Sequence, residues 1–354
     1  MLIEIYFVFV GRFRRKIVLS ILLNIIKIAF LLGFLILIHE AGHFFVAKLF
    51  KVKVKEFAIG FGPIIWEKQG KETKYVLRAI PLGGFVNLLG EEEASQEEGS
   101  YSKASRIKKI CILLAGGTVN IIFGLLVYFI LISTTASFVS TTVQQTVENY
   151  SAKMAGMEQG DEIIKVNGKK IRLKSEIDSI LANSEGKDIK LTVKRNEEIL
   201  DINLKPTIDE ETGRYFLGII FKEADKSFTN NCYYGFWNTV YFSSSIVENV
   251  KELFTGNVGV DQLTGPVGIS EVVVKTQNVS QFVYILALIS LSLGVTNLLP
   301  FPPLDGGKIL LLIIEGIIRR PIKENVNNAI QMTGFVIIMA LAVIVTYNDV
   351  LRIF

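Results

Sequence analysis

Three stretches of the chain are apolar for long enough to cross a membrane. Residues 17–38 are broken only by Ser20, Asn24, Lys27 and Gly33, and residues 110–132 and 279–299 carry no charge at all. Each run, folded as a helix rising about 1.5 Å per residue, spans a hydrocarbon layer of about 30 Å. A fourth run, 334–347, is shorter, so its helix is expected to recruit residues upstream. The apolar stretch 310–318 is too short to cross. Between the second and third runs the period changes. Residues 145–222 are rich in charge and alternate apolar with polar positions: "DIKLTVKR" reads as a strand with one buried face and "NGKK" as a tight turn between strands. Residues 231–254, with "YYGFWNTVYF", place aromatic and aliphatic side chains at helical spacing. That pattern fits an interfacial amphipathic helix and equally a linker helix packed on the alternating domain.

Composition turns these runs into a class. Half of the 354 residues are hydrophobic, which with the long runs marks an integral membrane protein. The net charge of +4 is modest, and its basic residues cluster beside the apolar runs, so no nucleic-acid partner is implied. Lys103, Arg106, Lys108 and Lys109 precede the second run, and Arg319, Arg320 and Lys323 follow the short stretch 310–318. By the positive-inside bias both groups are cytoplasmic. The first span then ends inside, the second returns outward, the third comes back in, and the alternating domain lies outside. Arg12, Arg14, Arg15 and Lys16 disagree with this topology, so residues 1–16 are read as an extension from a misassigned upstream start. Cys111 lies in an apolar run and Cys232 in a linker, which leaves neither a disulfide framework nor a thiolate metal site.

The chemistry is concentrated at the end of the first run, in "HEAGH". Its histidines, His39 and His43, are four positions apart and face one side of a helix, with Glu40 about a quarter turn away. This is the H-E-x-x-H arrangement of two metal ligands and a general base. Polar residues snorkelling from a helix end would be the bland explanation. Against it stands the count: the chain has two histidines, and both are here. A catalytic zinc takes three protein ligands and keeps a place for water. The third must therefore be a carboxylate able to reach the cytoplasmic end of the first helix. Asp305 qualifies, being the first acidic residue after the third span, carried by the proline-stiffened "NLLPFPPLDGG", where Gly306 and Gly307 allow close backbone approach. Glu315 competes with it, and Asp305 could instead cap the helix that follows.

Together these residues resemble the site-2 protease family of intramembrane zinc metalloproteases, in its bacterial branch with a single PDZ domain. "HEAGH" is similar to the family's H-E-x-G-H and "NLLPFPPLDGG" to its N-x-x-P-x-P-x-L-D-G-G element. The resemblance implies one Zn2+ per chain held by His39, His43 and Asp305, with Glu40 as base and Asn297 contacting the substrate backbone. "GFGP" at 60–63 and "IPLGGFVNLLGE" at 80–91 resemble a membrane-reentrant β element, which implies substrate contact at Gly83, Gly84 and Phe85. "SAKMAGMEQGDEIIKVNGKKI" resembles the core of the PDZ domain, a size filter or docking site in this family. "GPVGI" at 265–269 also matches, without a role that its residues explain. Gly117 stands where the family commonly has proline, whereas Asn120 matches.

The expected fold is a multi-pass α-helical membrane protein of about four transmembrane helices around a zinc metalloprotease core. It carries a membrane-reentrant β element and one inserted extracytoplasmic α+β PDZ domain. The expected map is an extension 1–16, a first span with HEAGH 17–50, a cytoplasmic or reentrant β region 51–109 and a second span 110–133. It continues with the PDZ domain 140–224, a linker with an amphipathic helix 225–277, a third span 278–304, the LDGG turn and short helix 305–332, and a fourth span 333–354.

The expected activity is endoproteolysis of single-pass segments in a bacterial cell membrane, with the site toward the cytoplasmic side. By resemblance the partners are membrane-tethered anti-sigma factors already cut by a site-1 protease, remnant signal peptides and the surrounding lipid. A peptidase acting on soluble peptides, a zinc carrier and a PDZ scaffold with structural zinc are the competing readings. Burial of HEAGH in an apolar run opposes the first, Glu40 is superfluous in the second, and three ligands are too few for the third.

Overall fold

The long apolar runs fold as helices, because a segment surrounded by lipid must satisfy its own backbone polar groups. The computed structural model describes residues 2–353 except 92, 94, 136–137, 210–212, 257–258 and 260–262. In chain order it has α1 (Leu2–Leu49), β1 (Val54–Gln69), β2 (Lys74–Leu88), α2 (Arg106–Thr135), β3 (Val139–Thr146), α3 (Ser151–Met154), β4 (Glu162–Val166) and β5 (Lys169–Lys170). There follow α4 (Lys174–Ala182), β6 (Ile189–Arg195), β7 (Glu198–Leu204), β8 (Thr207–Ile208), β9 (Tyr215–Phe216) and β10 (Ile219–Glu223). The chain closes with α5 (Phe228–Thr255), α6 (Pro266–Val274), α7 (Val279–Asn297), α8 (Asp305–Ile318) and α9 (Glu324–Ile353). Among the described residues four segments are long and apolar enough to cross a membrane: Ser20–Leu49, Arg106–Leu131, Val279–Asn297 and Glu324–Arg352. The fourth recruits residues upstream, as its short apolar run requires. The backbone of residues 2–16 continues α1 without a break.

Two compact units share the chain, one made of residues 1–127 and 243–354, the other of residues 128–242. In the first, α1 is sorted by contact. Ile21, Leu22, Leu23, Ile25, Ile26 and Phe30 are each at least half exposed, which suits side chains facing lipid. Leu31, Leu35, His39, His43 and Ala47, four residues apart, form one buried stripe. Leu31 and Leu35 pack with Val273 of α6 and Leu286 of α7, and Ala47 packs with Val52, Val54, Leu88 and Ile112. The histidines therefore lie in the middle of a packed seam.

Helices α2 and α7 cross on bare backbone. A methyl group on Gly117 would stand 2.8 Å from the Gly294 carbonyl oxygen, and one on Gly294 would stand 2.6 Å from that of Gly117. Small residues at such a crossing let helices approach where lipid removes the hydrophobic drive between them. Ser290 of α7 donates to the Asn120 carbonyl at 2.8 Å and fixes the register.

The β1/β2 hairpin bends back on itself. Val54–Ile59 pairs on one side with 84–88 and on the other with 74–77, and 66–69 pairs with 74–77 beyond. Among the described residues no strand covers the outer side of 84–88. The tip side chains Phe61, Ile64, Ile65 and Trp66 are exposed and apolar.

The second unit is α+β. Its main sheet runs β10-β3-β4-β6-β7 with β5 paired to β4, and β8 and β9 form a separate ribbon. Ile189, Leu191 and Val193 alternate into its core with Ile163, Val166 and Ile177. "NGKK" is a tight turn, with Asn167 and Gly168 at positive φ. Within this unit Tyr234 stacks on Phe138 with centroids 4.6 Å apart, and Trp237 covers Arg172 at 3.8 Å. The first half of α5 is thus a helix packed on its own unit, the second of the two readings its sequence left open.

Candidate metal centre

Two lone-pair nitrogens and one carboxylate oxygen converge in the first unit. His39 Nε2 and His43 Nε2 are 3.2 Å apart, and Asp305 Oδ2 lies 3.2 Å from the first and 3.3 Å from the second. Both histidines come from the buried stripe of α1. Asp305 is delivered by the turn after α7. A methyl on Gly306 would stand 2.2 Å from the Leu298 carbonyl oxygen, and one on Gly307 2.4 Å from Pro302 N, so only glycines let α8 start tightly against that turn. Asp305 is the first residue of α8, and its carboxylate faces the two histidines. Glu315, the competing carboxylate, accepts the Ile322 N–H at 2.9 Å instead.

These groups fit a zinc ion. His43 Nδ1 lies 2.8 Å from the Ile112 carbonyl, so that nitrogen carries the proton and Nε2 presents a lone pair. Asp305 Oδ2 is buried without a hydrogen-bond partner. Three acceptors facing one another away from water repel unless a cation stands between them. Ligands about 2.0–2.2 Å from a tetrahedral zinc lie about 3.3–3.6 Å from each other, close to the spacing found here. His39, His43 and Asp305 would hold the ion, with a fourth position left for water.

Glu40 borders the same space. A methyl on Gly84 would approach its Cγ to 3.4 Å, so Gly84 in the outer segment of β2 sits beside the Glu40 side chain. A cavity of about 900 Å3 opens onto all three ligands, Glu40 and Phe85. Tyr101 also lines it. Burial and then the negative charges of Glu91, Asp305 and Glu315 hold its phenol above the ordinary tyrosine range, so it remains a neutral hydrogen-bond donor. Gly83, at φ +121, turns against the Phe61 ring. Asn297 closes α7 and is not among the residues lining this cavity. Of the eight residues singled out from sequence, the structure thus gathers His39, Glu40, His43, Asp305, Gly84 and Phe85, with Gly83 and Asn297 set back.

Of two further neighbours of the histidines, Gly116 escaped sequence reasoning and Asn120 entered it as a family match without a role. A methyl on Gly116 would stand 2.4 Å from His43 Nε2 and 2.7 Å from His39 Cε1. Asn120, fully buried, places its amide 3.4 Å from His39 Nδ1. The signal available for both was a small residue and an amide in an apolar run, one helical turn apart. The "GPVGI" element also finds its place. Asp349 of α9, nearly fully buried, accepts the N–H groups of Gly265 at 3.2 Å and Gly268 at 2.8 Å, clamping the start of α6.

Residues 27–341 match Peptidase family M50. A Clostridium acetobutylicum protein assigned as a zinc metalloprotease is 34% identical over 330 residues, covering 92% of this chain and 97% of its own. The zinc metalloprotease RasP of Geobacillus kaustophilus is 27% identical over 422 residues, covering 94% of this chain and 98% of its own. Among solved structures, the PDZ domain of the SdrC-like protein of Listeria monocytogenes is similar over 25% of this chain and 93% of its own, at 19% identity and a TM-score of 0.21.

Proposed function

The chain belongs to Peptidase family M50, the site-2 protease family of zinc metalloproteases, and from that premise we propose that it is an intramembrane endopeptidase acting on single-pass helices. One observation carries the reading: His39 and His43 lie on the buried stripe of a segment apolar enough to span a membrane, with Asp305 of α8 against them and an uncovered strand edge beside them. A substrate helix keeps its amides hydrogen-bonded to itself and out of reach. Residues 84–88 offer an extended partner for the unwound backbone, with Gly84 bringing it close to Glu40. The exposed apolar tip of the hairpin suits insertion into lipid as a reentrant element.

Zinc, when bound, polarises the scissile carbonyl and acidifies a water molecule. Glu40 takes the proton of the attacking water on its carboxylate and returns it to the amide nitrogen as the C–N bond breaks. Tyr101 offers a neutral O–H to the polar groups gathered in the cavity. Asn297 contacts the substrate backbone farther from the reacting bond.

In the same reading the site faces the cytoplasmic side of a bacterial membrane, supported by the positive-inside bias of the basic groups, and the second unit is an extracytoplasmic PDZ domain. Membrane-tethered anti-sigma factors shortened by a site-1 protease, and remnant signal peptides, are the substrates that suit such a site.

The test compares wild type with Glu40→Gln in liposomes holding a single-pass substrate without its outer domain, scoring cleavage by mass and zinc by elemental analysis. Cleavage within the apolar segment by wild type alone, with about one zinc in both proteins, supports the reading. Zinc in both without cleavage by either would turn attention to zinc transport.

A further inference from the structure

We infer that Asn120 is a positioning residue: its side-chain carbonyl accepts the Nδ1 proton of His39 and so fixes which nitrogen of that histidine faces the metal. The inference rests on the metal-centre reading and concerns the histidine of the pair that, among the described residues, no backbone carbonyl orients.

A histidine that binds zinc through Nε2 must be neutral, with its proton on Nδ1, and that N–H needs an acceptor. The two ligands solve this differently. His43 Nδ1 has the Ile112 carbonyl of α2 at 2.8 Å. Among the described residues His39 Nδ1 has only the Asn120 amide, whose nitrogen is placed 3.4 Å away, while the amide oxygen is buried and has no partner. Two donors facing each other repel. Nitrogen and oxygen of an amide are interchangeable in shape, and a half turn about its last bond sets the oxygen against the His39 N–H.

The position is built for the purpose. Asn120 has no exposed surface, and its backbone carbonyl accepts the Ser290 hydroxyl at 2.8 Å, which ties this turn of α2 to α7. An amide in the middle of an apolar span is costly to bury and needs a reason to be there. Both ligating histidines are thus oriented from α2, one by a backbone carbonyl and one by a side chain, and the side chain is the replaceable part.

The experiment uses the full chain in detergent. Zinc affinity is measured by chelator competition for wild type, Asn120→Leu and Asn120→Asp. Loss of an outer partner of this kind lowers metal affinity by about 10- to 100-fold. Asn120→Leu should show that loss. Asn120→Asp keeps an acceptor at the same place and should stay within about threefold of wild type on the same scale. A leucine variant with wild-type affinity, or an aspartate variant as weak as leucine, overturns the assignment.

A second measurement needs no variant. The chain holds two histidines, so 15N-histidine labelling yields two imidazoles alone. In the zinc-loaded protein both Nδ1 atoms should carry a proton, and Asn120→Asp should move the His39 Nδ1–H resonance while leaving that of His43. A His39 Nδ1 without a proton sinks the proposal even if the leucine variant does not fold. Wild type that binds no zinc at all would instead defeat the metal-centre reading.

Discussion

A methyl group on Gly116 would stand 2.4 Å from His43 Nε2, so α2 meets His39 and His43 with bare backbone. The space such a methyl would fill is the space between the ligands. Gly116→Ala should therefore displace the imidazoles, and the folded protein should retain little zinc by elemental analysis. Peptidase activity should fall by about 100-fold, the scale of a displacement of about 1 Å at a reacting centre. Full zinc content in this variant would contradict the close approach.

Gly117, one residue on, faces α7 and not the metal. Gly117→Leu should overpack the crossing at Gly294 and cost about 1–3 kcal/mol, read as a lower melting temperature in detergent. Zinc per folded molecule should not change. The pair of variants separates crowding of the site from crowding of the scaffold.

Asp349 clamps the start of α6 through two N–H groups. Removing a buried acceptor leaves those donors unsatisfied, so Asp349→Ala should cost about 1–3 kcal/mol. Asp349→Asn should cost less, since its amide oxygen still accepts. Chemical unfolding of purified variants measures this, and activity per folded molecule should hold, because the clamp touches no ligand.

Acid should act on the second unit through Asp161. Burial alone would raise its carboxyl, but the bonds from Arg195 at 2.7 and 2.8 Å and from the Glu158 N–H outweigh burial and hold it below the ordinary carboxylate value. A group with a lowered folded value stabilises above its unfolded value of about 3.9, and that contribution is lost as pH falls toward the folded value. With Trp66→Phe, Trp237 remains as the one tryptophan and reports this unit. Its unfolding midpoint should drop steeply below about pH 4 in the parent and more weakly in Asp161→Asn, which should already be less stable at neutral pH. Identical acid profiles would show that the ion pair contributes nothing.

Much of the protein was legible one residue at a time. Lipid leaves a segment few options, so the spans could be read from length and polarity, and the i, i+4 spacing of His39 and His43 placed both imidazoles on one side of α1 before any packing was known. The tight turn at Asn167 and Gly168 and the alternating strand at Ile189–Arg195 were local in the same sense. The choice between Asp305 and Glu315 was not local. It depended on how closely Gly306 and Gly307 let α8 approach the turn after α7, a fact of three-dimensional clearance. The same holds for α5, whose aromatic face suits lipid or protein equally until Phe138 and Arg172 are seen against it.

The sequence by itself determined the four candidate spans, the histidine-bearing stripe on α1 and the β-rich character of the inserted unit, because each follows from periodicity along one element. The tertiary structure alone showed how Asp305 is brought against the two histidines, why residue 116 has no side chain, what Asn120 and Asp349 contact, and which strand edge lies beside Glu40. Those relations join residues far apart in the chain, and contact between distant residues depends on packing clearances of a few tenths of an ångström that no local pattern encodes.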